Sequence, residues 1–195
     1  MRKRTPYRGW APALRISFLA ISFLLTATAA QSVEIGEAPP DYLGKSERKT
    51  KIFLSESNGK IRVVTFWATW CGPCLKELPV LNAIQKKGGA DRIRTIAINI
   101  NDRKNDFRRA VRVLEDYEIE FVFDYRRSIS KKYDVEGIPH MLIIDVDGLV
   151  AYQHIGYNED AIPRIVEEIN SLLIKNNMVQ ELEAVSRPPD AGSSQ

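Results

Sequence analysis

The sequence predicts an α/β protein in which helices flank a central mixed β-sheet, and three observations carry that expectation. Runs rich in β-branched and aromatic residues alternate with amphipathic helical patterns along most of the chain. A turn-forming Asp147-Gly148 between two apolar runs marks a late hairpin. A length of 195 residues, with 44% hydrophobic and 27% charged residues, suits one domain with a real core.

Residues 1–30 read as a secretory signal. Arg2, Lys3, Arg4, Arg8 and Arg15 stand in a segment without acids. They accompany the apolar run Ile16-Ser17-Phe18-Leu19-Ala20-Ile21-Ser22-Phe23-Leu24-Leu25, and Ala27-Thr28-Ala29 fits a small-x-small cleavage site. Left uncleaved, the same segment would serve as a membrane anchor, the one membrane contact expected. No cysteine follows the apolar run, which excludes lipid attachment there. The net charge of +3 comes from this leader: setting its five cations aside leaves 23 of the 28 basic residues against 25 acidic ones. Nothing in that balance points to nucleic acid.

Residues 31–40 form an expected linker closed by Pro39-Pro40, and the domain is expected over 41–175. Lys51-Ile52-Phe53-Leu54 and Ile61-Arg62-Val63-Val64 flank Asn58-Gly59, which predicts an early hairpin. Arg62-Val63-Val64-Thr65-Phe66-Trp67 reads as a buried strand. Leu75, Leu78, Leu81 and Ile84 then give the apolar face of a helix that Gly88-Gly89 stops. Residues 92–99 alternate and then run apolar, as a central strand would. Phe107, Ala110, Val111 and Leu114 define the next helix, with Arg108, Arg109 and Arg112 outward. A strand is expected over 120–124 and a short helix over 128–133. Met141-Leu142-Ile143-Ile144 and Leu149-Val150-Ala151-Tyr152 form the late hairpin. Ile162, Ile165, Val166, Ile169, Leu172 and Leu173 make the last helix, with Pro163 in its first turn. Residues 176–195 are expected to be a disordered tail.

The chemistry is concentrated in Trp67-Ala68-Thr69-Trp70-Cys71-Gly72-Pro73-Cys74, which holds the only two cysteines of the chain. They stand where a strand feeds a helix. A cysteine at a helix N-terminus faces free backbone N–H groups and the positive end of the dipole, both of which favour thiolate. The thiolate attacks disulfides, and a second cysteine one turn on can close a ring and expel the attacked partner. A structural zinc site would normally need four ligands, and the sequence offers Cys71, Cys74, His140 and His154. A plain staple would not need Gly-Pro between its sulfurs.

The Trp-Cys-Gly-Pro-Cys string resembles the active site of the thioredoxin superfamily. With Glu77 and Pro79 after it, it is similar to the TlpA/ResA/DsbE-like extracytoplasmic branch, and the likeness covers roughly residues 39–174. The resemblance implies a thioredoxin-like fold in which an extra helix and strand before the proline loop form a TlpA/ResA-type central insertion. It implies Cys71 as nucleophile and Cys74 as resolving thiol, with Trp70, Gly72 and Pro73 contacting the client. Gly137-Ile138-Pro139 resembles the second family signature, in which the proline is cis and the residue before it, here Ile138, offers backbone groups to the client. Thr65 stands where many thioredoxins carry a buried proton-relay aspartate, and that role passes to Glu77.

The Gly-Pro dipeptide matches a reducing pair, near roughly −270 mV in thioredoxin. The implied function is reduction of disulfides in extracytoplasmic clients without a cofactor. Apocytochrome c and the copper-site subunits of an oxidase are the candidate clients, and a membrane thiol protein is the electron donor. One departure opens a second reading: His140 replaces the small polar residue expected after the proline, and with Cys71 and Cys74 it could hold Cu(I) in a metallochaperone.

Overall fold

The computed structural model describes residues 33–47 and 49–186. A small antiparallel pair comes first, β1 (Tyr42–Lys45) and β2 (Lys51–Phe53). The main sheet takes β3 (Ile61–Trp67), β4 (Ile93–Asn99), β5 (Glu120–Phe123), β6 (His140–Ile144) and β7 (Val150–Ile155). Its spatial order is β5-β4-β3-β6-β7. β3 is parallel to β4 and antiparallel to β6, so the sheet is mixed and β3 is its middle. All seven residues of β3 are buried, as both faces of a central strand must be.

The helices are α1 (Gly72–Gly88), α2 (Lys104–Val113) and α3 (Ile162–Ser186). α1 joins β3 to β4, and α2 joins β4 to β5. Both are crossovers between parallel strands that step in one direction, and a constant hand puts such helices on the same face. That face is one core: Val63, Trp67, Met141 and Ile143 from the sheet meet Leu78, Leu81, Phe107, Ile165 and Ile169 from the helices. Side chains alternate along a strand, so Val64, Phe66, Leu142 and Ile144 enter a second core on the other face. There Leu43 and Ile52 from the first hairpin and Leu54 just after it, with Ile129, Tyr133 and Val135, do the covering.

Several expectations change. β2 pairs with β1 and not with β3. Asn58-Gly59 does turn the chain, with Gly59 at φ +81°, but it follows a 3-10 turn over Leu54–Ser57 and leads into the sheet's middle, where β4 and β6 already take both edges of β3. The short helix of 128–133 is instead a 3-10 turn at Tyr125–Arg127 followed by successive turns. Arg126 and Arg127 have φ of 70° and 56°, outside the right-handed helical region. The Asp124 carboxylate accepts from Ile129 N, Ser130 N and Ser128 Oγ, which holds the segment in that form.

Leu75, assigned to the core face of α1, is 46% exposed; Glu77, Asn82 and Gln85 are buried on that helix instead. Each has a partner: Thr65 Oγ1 donates to Glu77, Glu118 N to Asn82, and Thr95 N to Gln85. The linker is tied down over its described part, with Gly36 N donating to Val150 O and Val150 N to Glu37 O. α3 runs to Ser186, so residues 176–186 are helical and not part of a disordered tail. The expected signal of 1–30 and the tail beyond 186 lie outside the described residues. Among the described residues no helix is long and apolar enough to cross a membrane.

The first hairpin is held against the sheet by a close approach at Gly44. Its φ is +110°, and a Cβ there would lie 2.7 Å from both Ile129 Cδ1 and Val122 Cγ1. Gly44→Ala should therefore lower stability by about 2–4 kcal/mol, from overpacking together with a left-handed backbone. Thermal unfolding measures it, and a midpoint equal to the parent's would contradict the packing described.

Candidate active site

The site forms where the C-terminal end of β3 meets α1. Cys71 is the N-cap of α1, with extended backbone (φ −88°, ψ 98°), and its sulfur accepts from Cys74 N at 3.2 Å. Pro73 falls in the first helical turn, where a missing N–H costs no intrahelical bond. Pro79 lies inside the helix, which continues past it to Gly88. Cys71 and Cys74 are joined as a disulfide. Cys71 is 6% exposed and Cys74 fully buried, so of the two only Cys71 keeps any contact with solvent.

The second wall is the loop before β6. The Ile138–Pro139 bond is cis. The Ile138 carbonyl oxygen lies 3.9 Å from Cys71 Sγ. Pro139 O in turn accepts from Gly156 N at 2.7 Å, which fixes the loop to the end of β7. Around this cleft Trp70 is 62% exposed, whereas Trp67 is wholly buried with its ring edge-on to Phe121. Gly72 and Pro73 border a solvent-open recess shared with Lys76, Tyr157 and Glu159.

Behind the disulfide lies Glu77. It is three residues beyond Cys74 on the same helix, a spacing that places the two side chains on one face. Its carboxylate accepts from Thr65 Oγ1 at 2.7 Å. Burial pushes its pKa up to about 7, with the Thr65 bond pulling the other way. Thr65 is thus the residue that orients the carboxyl from β3.

The family name is decided by comparison with known proteins. Residues 31–173 match the family described as Redoxin. The chain belongs to the redoxin family. Within it, this redoxin is 30% identical over 125 residues to the thiol-disulfide oxidoreductase ResA of Bacillus thuringiensis subsp. konkukian, covering 63% of this chain and 70% of that one. Thioredoxin-like protein YneN of Bacillus subtilis is 28% identical over 125 residues, 64% of this chain and 73% of the relative. A crystal structure from Chlorobium tepidum, provisionally described as thiol:disulfide interchange protein DsbE, superposes with a TM-score of 0.66 at 28% identity. It covers 73% of this chain and 99% of the other. The fold is thioredoxin-like, the chain is of the TlpA/ResA/DsbE type, and the redoxin is a thiol–disulfide oxidoreductase.

His140 stands apart from the cysteines. It shares the sheet face of Leu142 and Ile144, packs its ring edge against Phe66, and has its Nε2 2.7 Å from Gln153 Nε2. Cys71 and Cys74 belong to the opposite core. With His140 on the other sheet face, the structure lends no support to the Cu(I) ligand set of Cys71, Cys74 and His140. Among the described residues no three His, Cys, Asp or Glu side chains gather as a metal site. His140 is 2% exposed, and desolvation lowers its pKa despite the opposing pull of Asp134.

Proposed function

We propose that this redoxin reduces disulfides in extracytoplasmic client proteins through the Cys71–Cys74 dithiol. The single observation that carries the reading is the placement of Cys71 Sγ, capped by a helix N-terminus and 3.9 Å from the Ile138 carbonyl beside cis Pro139. A client strand laid along that loop would present its sulfur to Cys71. The thiolate of Cys71 attacks one client sulfur; the Cys71–client bond forms as the client S–S bond breaks, and the first client thiolate leaves. Cys74 then attacks Cys71 Sγ, releasing the second client thiolate and closing the Cys71–Cys74 bond. The enzyme pair is oxidised, the client disulfide is reduced, and the two protons the client gains balance the two the dithiol loses.

Glu77 takes the Cys74 proton as that sulfur becomes nucleophilic. With a pKa of about 7, its carboxyl is present in both states near neutrality. Trp70, Gly72 and Pro73 are the client-facing rim, and Ile138 pairs with the client backbone. The bonded state of the pair is the one reached after turnover, and a dithiol donor of the membrane returns two electrons to it. Residues 1–30 direct export or anchor the chain, and the domain is that of 41–175 with α3 continuing to Ser186. Apocytochrome c and the copper-site subunits of an oxidase are the client classes to try first.

Insulin reduction with dithiothreitol as electron source tests the activity. The protein should accelerate precipitation of the insulin B chain well above dithiothreitol alone. A protein whose reduced cysteines alkylate no faster than free cysteine, and which leaves insulin precipitation unaccelerated, is not a reductase.

A further inference from the structure

Asp102 lies outside the cysteine motif, yet its carboxylate is bound to the loop that carries it. Ala68, Thr69, Trp70 and Cys71 form a tight turn, closed by Cys71 N donating to Ala68 O at 3.1 Å. Such a turn leaves the N–H of its second residue pointing outward. Here that N–H, from Thr69, donates to Asp102 Oδ2 at 2.8 Å, and the Thr69 hydroxyl donates to Oδ1 at 2.9 Å. A third donor, Asn99 Nδ2, reaches Oδ2 at 2.6 Å. Asn99 ends β4 directly across the register from Trp67, which ends β3. The carboxylate therefore joins the loops that leave two adjacent parallel strands at the active-site edge of the sheet. Asn101, at φ +61°, lets the chain double back to place it.

We propose that Asp102 is a positioning residue for client recognition: by fixing Thr69 it sets the orientation of Trp70 and the placement of Cys71 at the end of the same turn. Trp70 is the next residue in the turn and is held by little else, being mostly exposed. Two of the three bonds end on Thr69, one of them on its backbone, so the carboxylate constrains the turn itself. Bonds to a charged acceptor are the stronger kind, which suits a clamp on an exposed rim. The consequence is selective. A small aromatic disulfide needs a thiolate and little else, whereas a protein disulfide must also lie across Trp70 and the Pro139 loop. This inference rests on the reductase reading.

The test compares, for each variant of the full chain, kcat/KM for insulin with the rate constant for a small aromatic disulfide. Loss of charge-assisted bonds should lower the insulin-to-small-disulfide ratio by about tenfold in Asp102→Ala and about threefold in Thr69→Val. Thr69→Ser keeps both donors and should keep the parent ratio. A merely structural role would lower the melting temperature and slow both reactions in step, leaving the ratio fixed; that result overturns the proposal. Where Asp102→Ala does not fold, the Thr69 pair decides: a Thr69→Val ratio equal to the parent's overturns it equally. If the parent chain reduces the small disulfide but never insulin, the reductase reading fails and this inference falls with it. If the parent discriminates and the variants do not differ, only the inference falls.

Discussion

Cys74→Ser should accumulate a covalent mixed disulfide with client proteins, while Cys71→Ser should trap none and lose turnover by on the order of 10³-fold or more. The asymmetry follows from the two sulfur environments. Cys71 keeps slight solvent contact, accepts from a helical N–H and lies near the Ile138 carbonyl. Cys74 is fully buried and can reach only Cys71. With serine at 74 the first exchange proceeds and the second cannot, so the adduct persists until an external thiol cleaves it. Non-reducing gels of material captured from the producing cells, resolved again after reduction, read the result and name the client. Trapping by Cys71→Ser and not by Cys74→Ser would reverse the two roles.

Glu77→Gln should raise stability in alkaline solution and lower activity there. The carboxyl has a folded pKa of about 7 against an ordinary value of 4.5. Between those values the folded chain holds a proton that the unfolded chain has released. Stability from this group is thus complete below about pH 4.5, declines as the pH rises through the window, and is gone above about 7. A difference of that size corresponds to roughly 3 kcal/mol across the window. Glutamine can still accept from Thr65 Oγ1 but does not titrate, so the slope should disappear and the variant should gain roughly 1–3 kcal/mol at pH 8. Activity moves the other way. In the proposed mechanism the ionised carboxylate accepts the Cys74 proton, so turnover in the parent should climb with pH through about 7. The variant should lose that climb and be slower by about 10²-fold above it. Urea titrations at several pH values and a pH–rate profile measure both. Matching profiles for parent and variant would leave Glu77 with no part in proton transfer.

What could be read from the residues divides along a physical line. Local signals were reliable: Gly88-Gly89 ended α1, Asp147-Gly148 turned the β6–β7 hairpin, and the cysteines fell at a strand–helix junction. Questions of partnership were not local. Asn58-Gly59 announces a bend, but which strands pair is settled by the parallel crossovers, which claimed both edges of β3. Residues 128–133 carry helix-compatible side chains, yet the buried Asp124 carboxylate draws their N–H groups into turns. Leu75 fits an apolar stripe by spacing, yet in the first turns of α1 the buried face is that of Cys74, Glu77 and Leu78, and Leu75 lies off it.

The site shows the same division. Thr65 stands where a relay carboxylate would be, and its bond to Glu77 exists only because β3 and α1 lie side by side. Asp102 gave no sign at all, because it acts across 33 positions of chain. An Asn-x-x-Asp ending a parallel strand beside the motif-bearing one is the pattern that could have drawn notice. His140 follows Pro139 in the chain, yet it starts β6 opposite Phe66 in the register, on the face away from the core that holds Cys71 and Cys74.

The pairing of Gly36 and Glu37 with Val150 has a mechanical consequence. Val150 begins β7, and the far end of that strand leads into Gly156, which grips the Pro139 loop. The chain is therefore gripped at one pole of the sheet while electrons change hands at the other, with a full strand length of roughly 17 Å between them. A load entering through Gly36 would therefore fall on the Val150 end of β7, away from the sulfurs.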